Sequence, residues 1–134
     1  MEQWLRHACT DFVIEVENAS TPGSSIMQFL HHGMDQALPE DLEVDLIIVD
    51  FGVNDAVIEL FDFHVEYVKM AHDTFIRYVV DAMIHSPALL YAESFIAPHR
   101  VAQAPWQSED MAKAHAAVTQ AYGIPMVSLL LVWF

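Results

Sequence analysis

The residues that decide the fold are Asp45-Leu46-Ile47-Ile48-Val49-Asp50-Phe51-Gly52-Val53-Asn54-Asp55-Ala56. The apolar run Leu46–Val49 has the length of a strand, and its unbroken character is typical of a parallel strand covered on both faces. Gly52 permits a tight turn off this strand, and a long helical pattern follows. Because ligands of open parallel sheets bind at the carboxyl ends of the strands, Asn54 can offer its side-chain amide to a substrate oxygen there.

Strand-like and helix-like patterns alternate on both sides of this stretch. Ser24 or Ser25 can cap one helix, Ser108 can cap another, and Ser86-Pro87 and Gly123 are stop signals. The predicted helices cover residues 2–10, 26–37, 56–85 and 108–122, and the predicted strands cover residues 12–16, 45–51, 88–95 and 126–134. This alternation predicts an α/β fold with a parallel sheet of four strands and right-handed crossovers, in a single domain over residues 1–134.

Composition and charge exclude several classes of partner. The chain is 54% hydrophobic, which suffices for a core, and its formal net charge is −14. Such an acidic chain is a poor ligand for nucleic acid or for an anionic membrane surface. No apolar run approaches the roughly 20 residues of a membrane span, and no signal peptide is visible. Cys9 is the only cysteine, so no internal disulfide forms and the compartment is left open.

Two motifs resemble conserved blocks of a known enzyme family. Residues 49–55, with Gly-x-Asn-Asp, resemble the third block of the SGNH (GDSL-type) hydrolases, and residues 18–25 resemble their second block, a loop that contains glycine. The resemblance runs from about residue 13 to about residue 128. It implies a flavodoxin-like, three-layer parallel sheet and a serine esterase that acts on a small-molecule ester or acylated substrate without a cofactor.

The resemblance also implies roles for individual residues. Gly23 and Asn54 would donate hydrogen bonds to the oxyanion, while Gly52 and His99 are weaker candidates for substrate contacts. The sequence departs from the family at both ends, since neither Gly-Asp-Ser nor Asp-x-x-His occurs in it. We therefore expect an incomplete SGNH domain that is inactive by itself. The alternative is a non-catalytic α/β binding or interaction module derived from that fold.

The motif residues also have plain structural interpretations. Asn54 can be a helix cap and Gly23 a simple loop glycine. We expect Asp55 to buttress the turn, and we expect Ser24 and Ser25 to cap a helix rather than to act as nucleophiles. A phosphate-binding flavodoxin-like protein is disfavoured because no glycine-rich phosphate loop is present.

Histidines are numerous, but their spacing does not predict a metal site. The eight histidines form neither His-Glu-x-x-His nor a Cys/His zinc pattern. His72 lies on the apolar stripe of a predicted helix, which is typical of a hydrogen-bonded core histidine.

The predicted crossovers have a consequence for solubility. They place the three longer helices on one face of the sheet and leave only residues 2–10 for the other. We therefore expect self-association through an exposed apolar sheet face.

Overall fold

The structure is a computed structural model that describes residues 7, 10–11, 13–20, 22–52, 54–55, 65–93 and 105–128. Several predictions lie outside these residues: the substrate contact at His99, most of the helix over residues 2–10, and the end of the last strand. No helix in the described ranges is both long and apolar enough to cross a membrane.

The sheet has three parallel strands in the described residues. They are β1 (Leu46–Val49), β2 (Ala88–Glu93) and β3 (Met126–Ser128), paired in the order β1-β2-β3. The register sets Leu46 opposite Ala88 and Tyr91 opposite Met126. The prediction of an α/β fold with a parallel sheet is thus confirmed, and each strand falls inside a predicted range.

The prediction of a strand over residues 12–16 is wrong for residues 13–16, which the structure describes. Residues 13–20 form no regular structure, and Val13 is 89% exposed. Local β-propensity suffices only where a neighbouring strand pairs with the backbone and covers the side chains. Neither condition holds for Val13.

Four α-helices lie wholly within the described residues. They are α1 (Ile26–His32), α2 (Met34–Ala37), α3 (Val65–Arg77) and α4 (Pro105–Ala121). A π-helical turn, Tyr78–Ala82, continues α3.

Helix boundaries differ from the predictions in three places. The helix predicted over residues 26–37 is split at Gly33, whose backbone leaves the helical region with φ −140°. The long helix ends at Ala82, before Ser86-Pro87, because Met83 donates from its N–H to Tyr78 O and then turns extended. Helix α4 begins at Pro105, three residues before the predicted cap Ser108, and proline is well tolerated in a first helical turn.

The core lies between the helices and one face of the sheet. Val49, Leu89 and Tyr91 on the sheet pack against α1, α3 and α4. The helical side of this core consists of Ile26, Phe29, Val68, Ala71, Phe75, Ile76, Val79 and Met111.

The opposite sheet face is partly open. Leu46 on β1 is 48% exposed, Ile48 is 36% exposed, and Val127 on β3 is 56% exposed. We name these three residues the open sheet face. The expectation that β1 is covered on both faces is therefore wrong, because the described helices pack on the other side.

Candidate functional site

The carboxyl end of β1 turns directly into helical backbone. Phe51 O accepts hydrogen bonds from Asn54 N at 3.0 Å and from Asp55 N at 2.9 Å. Gly52 is buried inside this turn, so it is a turn residue and offers no exposed surface for a substrate. The turn fixes Asn54 and Asp55 at the strand end.

Asn54 connects this turn to the loop that precedes α1. Its Nδ2 donates to Ser24 O at 3.0 Å. Gly23 precedes Ser24 and has φ +75°, a left-handed conformation that favours glycine, and no atom lies within 4 Å of the Cβ position it lacks. The structure therefore brings together the two segments that carry the predicted oxyanion donors, and the predicted role itself stays a prediction.

Asp55 holds the end of the same loop by a second hydrogen bond. Its Oδ1 accepts a hydrogen bond from Ile26 N, the first residue of α1, at 2.9 Å. Ser25 caps α1 in a capping box, with Oγ accepting from Gln28 N at 3.2 Å. The expected buttress at Asp55 and the expected serine cap are both present.

Asp55 is also the centre of a row of five hydrogen-bonded side chains, which we name the buried network. His72 Nε2 lies 2.8 Å and His115 Nε2 3.2 Å from Asp55 Oδ2. His72 Nδ1 lies 2.9 Å from Tyr91 Oη, and His115 Nδ1 lies 2.5 Å from Glu93 Oε2. The members come from the turn after β1, from α3, from β2 and from α4.

The buried network is closed to solvent. Its members are at most 4% exposed, and the two histidine rings contact edge to face with centroids 4.3 Å apart. A substrate therefore has no access to these groups in this conformation. Buried polar groups are expensive unless hydrogen-bonded, and here both nitrogens of each imidazole have a partner.

The two histidines differ in charge. Burial lowers the pKa of His72, and the hydrogen bond to Asp55 does not restore it, so His72 is neutral. Burial also lowers the pKa of His115, but hydrogen bonds to Asp55 and Glu93 outweigh it and raise that pKa to about 9. His115 is therefore an imidazolium at neutral pH, which donates from both nitrogens.

The hydroxyl and the shared carboxylate complete this pattern. Burial and the nearby charge of Asp55 raise the pKa of Tyr91, so its hydroxyl keeps its proton and donates to His72 Nδ1. Burial raises the pKa of Asp55, but the hydrogen bonds from His115 and His72 outweigh it and lower that pKa. Neutral His72 then donates from Nε2 to Asp55.

Three members of the buried network have the donor atoms of a metal site. The ligand atoms of Asp55, His72 and His115 all lie within 4.8 Å of one another. Sequence spacing did not indicate these three together, since each is on a different element.

His115, Glu93 and Tyr91 were missed by the sequence patterns, although two signals point to them. Tyr91 and Glu93 are two residues apart in the predicted strand over residues 88–95, so the period of a strand places them on the same face. His115 lies four residues after Met111 and four before Thr119, which places all three on the buried side of α4.

One surface depression lies apart from Asn54. It has a volume of about 490 Å³ and is lined by Asp35, Pro39, Glu40, Asp41, Tyr78 and Ile84. Glu40 and Ile84, which precede β1 and β2, are joined by a backbone hydrogen bond of 2.9 Å. The depression therefore lies at the amino ends of the strands, whereas ligands of parallel sheets bind at the carboxyl ends.

Comparison with known proteins identifies no relative: no protein-family model, curated protein or solved structure matches the chain.

Proposed function

We propose that this chain is the scaffold of an SGNH-type ester or acyl hydrolase, with a flavodoxin-like sheet and with Gly23 and Asn54 as oxyanion donors. One observation carries the proposal: the hydrogen bond from Asn54 Nδ2 to Ser24 O, 3.0 Å long, which holds the amide of Asn54 beside the loop of Gly23. Gly23 and Asn54 are 31 positions apart in sequence, and both belong to the motifs that resemble the family.

The position and chemistry of Asn54 support this role. It follows the carboxyl end of a parallel strand, where open α/β sheets bind ligands. A carboxamide nitrogen carries two hydrogens, so one can hold Ser24 O while the other donates to a substrate oxygen. Donors that are fixed before the reaction stabilise the charge that develops on a carbonyl oxygen during attack.

The nucleophile and the base are not supplied by the described residues of these motifs. Ser25 is buried and its hydroxyl caps α1, so it cannot attack a substrate. The proposal therefore assigns electrostatic stabilisation to this chain. Proton transfer and nucleophilic attack would belong to the Gly-Asp-Ser and Asp-x-x-His blocks that the family uses.

The open sheet face favours a second candidate function, a non-catalytic interaction module. Apolar residues that stay exposed on a sheet are a common basis for protein contacts. In such a module Asn54 would only tie the turn after β1 to the loop before α1.

The test is Asn54→Ala in a version of the chain extended with a Gly-Asp-Ser block and an Asp-x-x-His block. Loss of one oxyanion donor typically lowers kcat by about 10²–10³, whereas loss of one neutral side-chain hydrogen bond costs about 1 kcal/mol of stability. We expect a large fall in kcat for a p-nitrophenyl ester and a small fall in Tm.

Asn18→Ala is the control, because Asn18 is another asparagine, lies in the segment of Gly23 and, among the described residues, accepts a hydrogen bond only locally, from Ser20 N. It should leave both kcat and Tm near the parent values. A sharp fall in Tm for Asn54→Ala, with kcat per folded molecule unchanged, would favour the interaction module.

A further inference from the structure

Three metal-binding donor atoms converge in the interior, at the middle of the buried network. Asp55 Oδ2 lies 2.8 Å from His72 Nε2 and 3.2 Å from His115 Nε2. In a tetrahedral zinc site with bonds of 2.0–2.1 Å, neighbouring donor atoms are about 3.3 Å apart. The 3.2 Å distance to His115 Nε2 already approaches this value. The 2.8 Å distance to His72 Nε2 must lengthen by about 0.5 Å when the ion binds.

The atoms behind these donors are arranged as in the second coordination shell of metal centres. Metal-bound histidines usually donate from their other nitrogen to a carboxylate or another oxygen, which fixes the ring and its tautomer. His115 has Glu93 in this place, and His72 has the hydroxyl of Tyr91. The second oxygen of Asp55 is held by Ile26 N–H, so each of the three donors is oriented by a partner.

The charge of the interior also suits a divalent cation. Two carboxylates, Asp55 and Glu93, are buried together, and among the buried polar side chains of the described residues only the imidazolium of His115 offsets their charge. Buried charges are normally paired or coordinate a metal. Two imidazole nitrogens and one carboxylate oxygen form a borderline donor set that suits Zn²⁺ better than Mg²⁺ or Ca²⁺.

We propose that Asp55, His72 and His115 form a binding site for one Zn²⁺ ion, with Glu93 and Tyr91 as its second shell. The ion takes the place of the hydrogens that the two histidines present to Asp55. The proton of His72 moves from Nε2 to Nδ1, which then donates to Tyr91 Oη, while the hydroxyl hydrogen of Tyr91 rotates away from Nδ1. His115 releases its Nε2 proton to solvent and keeps its Nδ1 proton, which it donates to Glu93 Oε2. A water molecule, the fourth ligand in zinc sites with three protein ligands, would have to enter with the ion, because the buried network is closed to solvent.

The proposal does not depend on the hydrolase function, since the three donors are closed to a substrate. It deepens the role of Asp55, which would join the Gly23 loop to the metal through Ile26. The alternative is that hydrogen bonds alone satisfy the buried network and that it binds no metal ion.

The experiment uses the whole chain, free of affinity tag and stripped with EDTA, with Zn²⁺ and Co²⁺ as probes. We expect one equivalent of Zn²⁺ to bind and to raise Tm, because a ligand that binds only the folded state stabilises it. We expect Co²⁺ to develop the strong visible bands of a four-coordinate ion. Weak bands of six-coordinate Co²⁺, or Tm unchanged by Zn²⁺, would overturn the proposal without any variant.

Variants then locate the ion. Tyr91→Phe and Glu93→Gln keep the size of their side chains and should weaken Zn²⁺ binding about 10- to 100-fold, the usual effect of losing a second-shell partner. His31 and His32 are exposed and stacked with ring centroids 4.3 Å apart, so they are the alternative surface site. The double variant His31→Ala/His32→Ala should bind Zn²⁺ within about twofold of the parent. Loss of binding in this double variant, with full binding in Tyr91→Phe, would overturn the assignment to the buried network.

Discussion

Asp55 is the residue on which most contacts around the site depend. One carboxylate oxygen holds the first residue of α1, and the other accepts from His72 and His115. Its position in the Gly-x-Asn-Asp stretch predicts a buttress of the turn, and the hydrogen bond from Ile26 N, 29 residues away in sequence, fits that prediction. The two histidine contacts span 17 and 60 residues of sequence, so no local pattern could have indicated them.

We predict that Asp55→Ala lowers the free energy of unfolding by about 3–5 kcal/mol, because removing one partner of a buried charge pair leaves the other unpaired. Urea unfolding of parent and variant measures the change. Asp41→Ala is the control, since Asp41 is exposed and should change the stability by less than about 0.5 kcal/mol. A loss below about 1 kcal/mol for Asp55→Ala would show that Asp55 is not ionised and paired in the folded protein.

The charge on His115 predicts an alkaline loss of stability in the metal-free protein. Burial opposes protonation, yet the hydrogen bonds to Asp55 and Glu93 raise its pKa from 6.5 to about 9 in the folded state. The folded state therefore binds this proton more tightly than the unfolded state, and the benefit is complete below pH 6.5. It disappears as the pH rises towards 9, at a cost on the order of 3 kcal/mol.

Urea unfolding between pH 6 and pH 10, in the presence of a chelator, measures this dependence. His115→Gln should flatten the curve across the same interval, because glutamine does not titrate. A parent protein as stable at pH 9.5 as at pH 6.5 would contradict the assignment of an imidazolium to His115.

At the scale of elements, the sequence predicts segments better than their limits. The apolar run that ends in Gly-x-Asn-Asp predicts a strand over residues 45–51, and β1 covers Leu46–Val49 of it. The strand over residues 12–16 was predicted from β-branched residues alone, and it fails over its described part because pairing decides strand formation. The sequence does not predict that the helix over residues 26–37 is split at Gly33, because the helical spacing of apolar residues continues past Gly33.

Two glycines provide a matched pair for the helix ends. Gly123, just after α4, has φ +67°, while Gly33, between α1 and α2, has φ −140° and ordinary contacts of 3.7 Å from a Cβ placed there. We predict that Gly123→Ala costs about 1–2 kcal/mol, the strain of a left-handed alanine, whereas Gly33→Ala is neutral within about 0.5 kcal/mol. Thermal unfolding of both variants measures the difference, and equal Tm values would contradict the left-handed backbone at Gly123.

The sequence predicts the part of the candidate site that lies in local motifs and does not predict the part that tertiary packing assembles. Asn54 and Gly23 lie in short local motifs, so their patterns are visible in sequence. The buried network is assembled from a turn, two helices and a strand, and only the packing of these elements brings its members together. The inward alternation of Tyr91 and Glu93 on β2 was available, but alternation does not show which partner faces them.

At the scale of the whole molecule, the packed and open faces of the sheet differ strongly. The inner face carries Val49, Leu89 and Tyr91, all buried, while the open sheet face of Leu46, Ile48 and Val127 remains 36–56% exposed. Such a patch favours association, and the high negative charge opposes it.

We predict that the chain self-associates through the open sheet face at physiological salt, which screens the charge repulsion. Ile48→Lys and Val127→Lys should shift the population to monomer, as measured by light scattering with size exclusion. Met70→Lys is the control, because Met70 is equally apolar and 63% exposed but lies on α3. A parent protein that is a stable monomer, or variants that associate like the parent, would contradict this use of the surface.

We propose that Gly23 and Asn54 form one binding site for an oxyanion. The most direct test is an ¹H–¹⁵N titration of the chain with an alkyl phosphonate monoester, a tetrahedral anion that mimics the charged intermediate. The backbone amide of Gly23 and the side-chain amide of Asn54 should shift together with one Kd. Asn54→Ala should weaken binding at least tenfold, and Asn18→Ala should not. If both amides stay unmoved at millimolar phosphonate, or if Asn54→Ala binds as well as the parent, then these two residues do not form an oxyanion site.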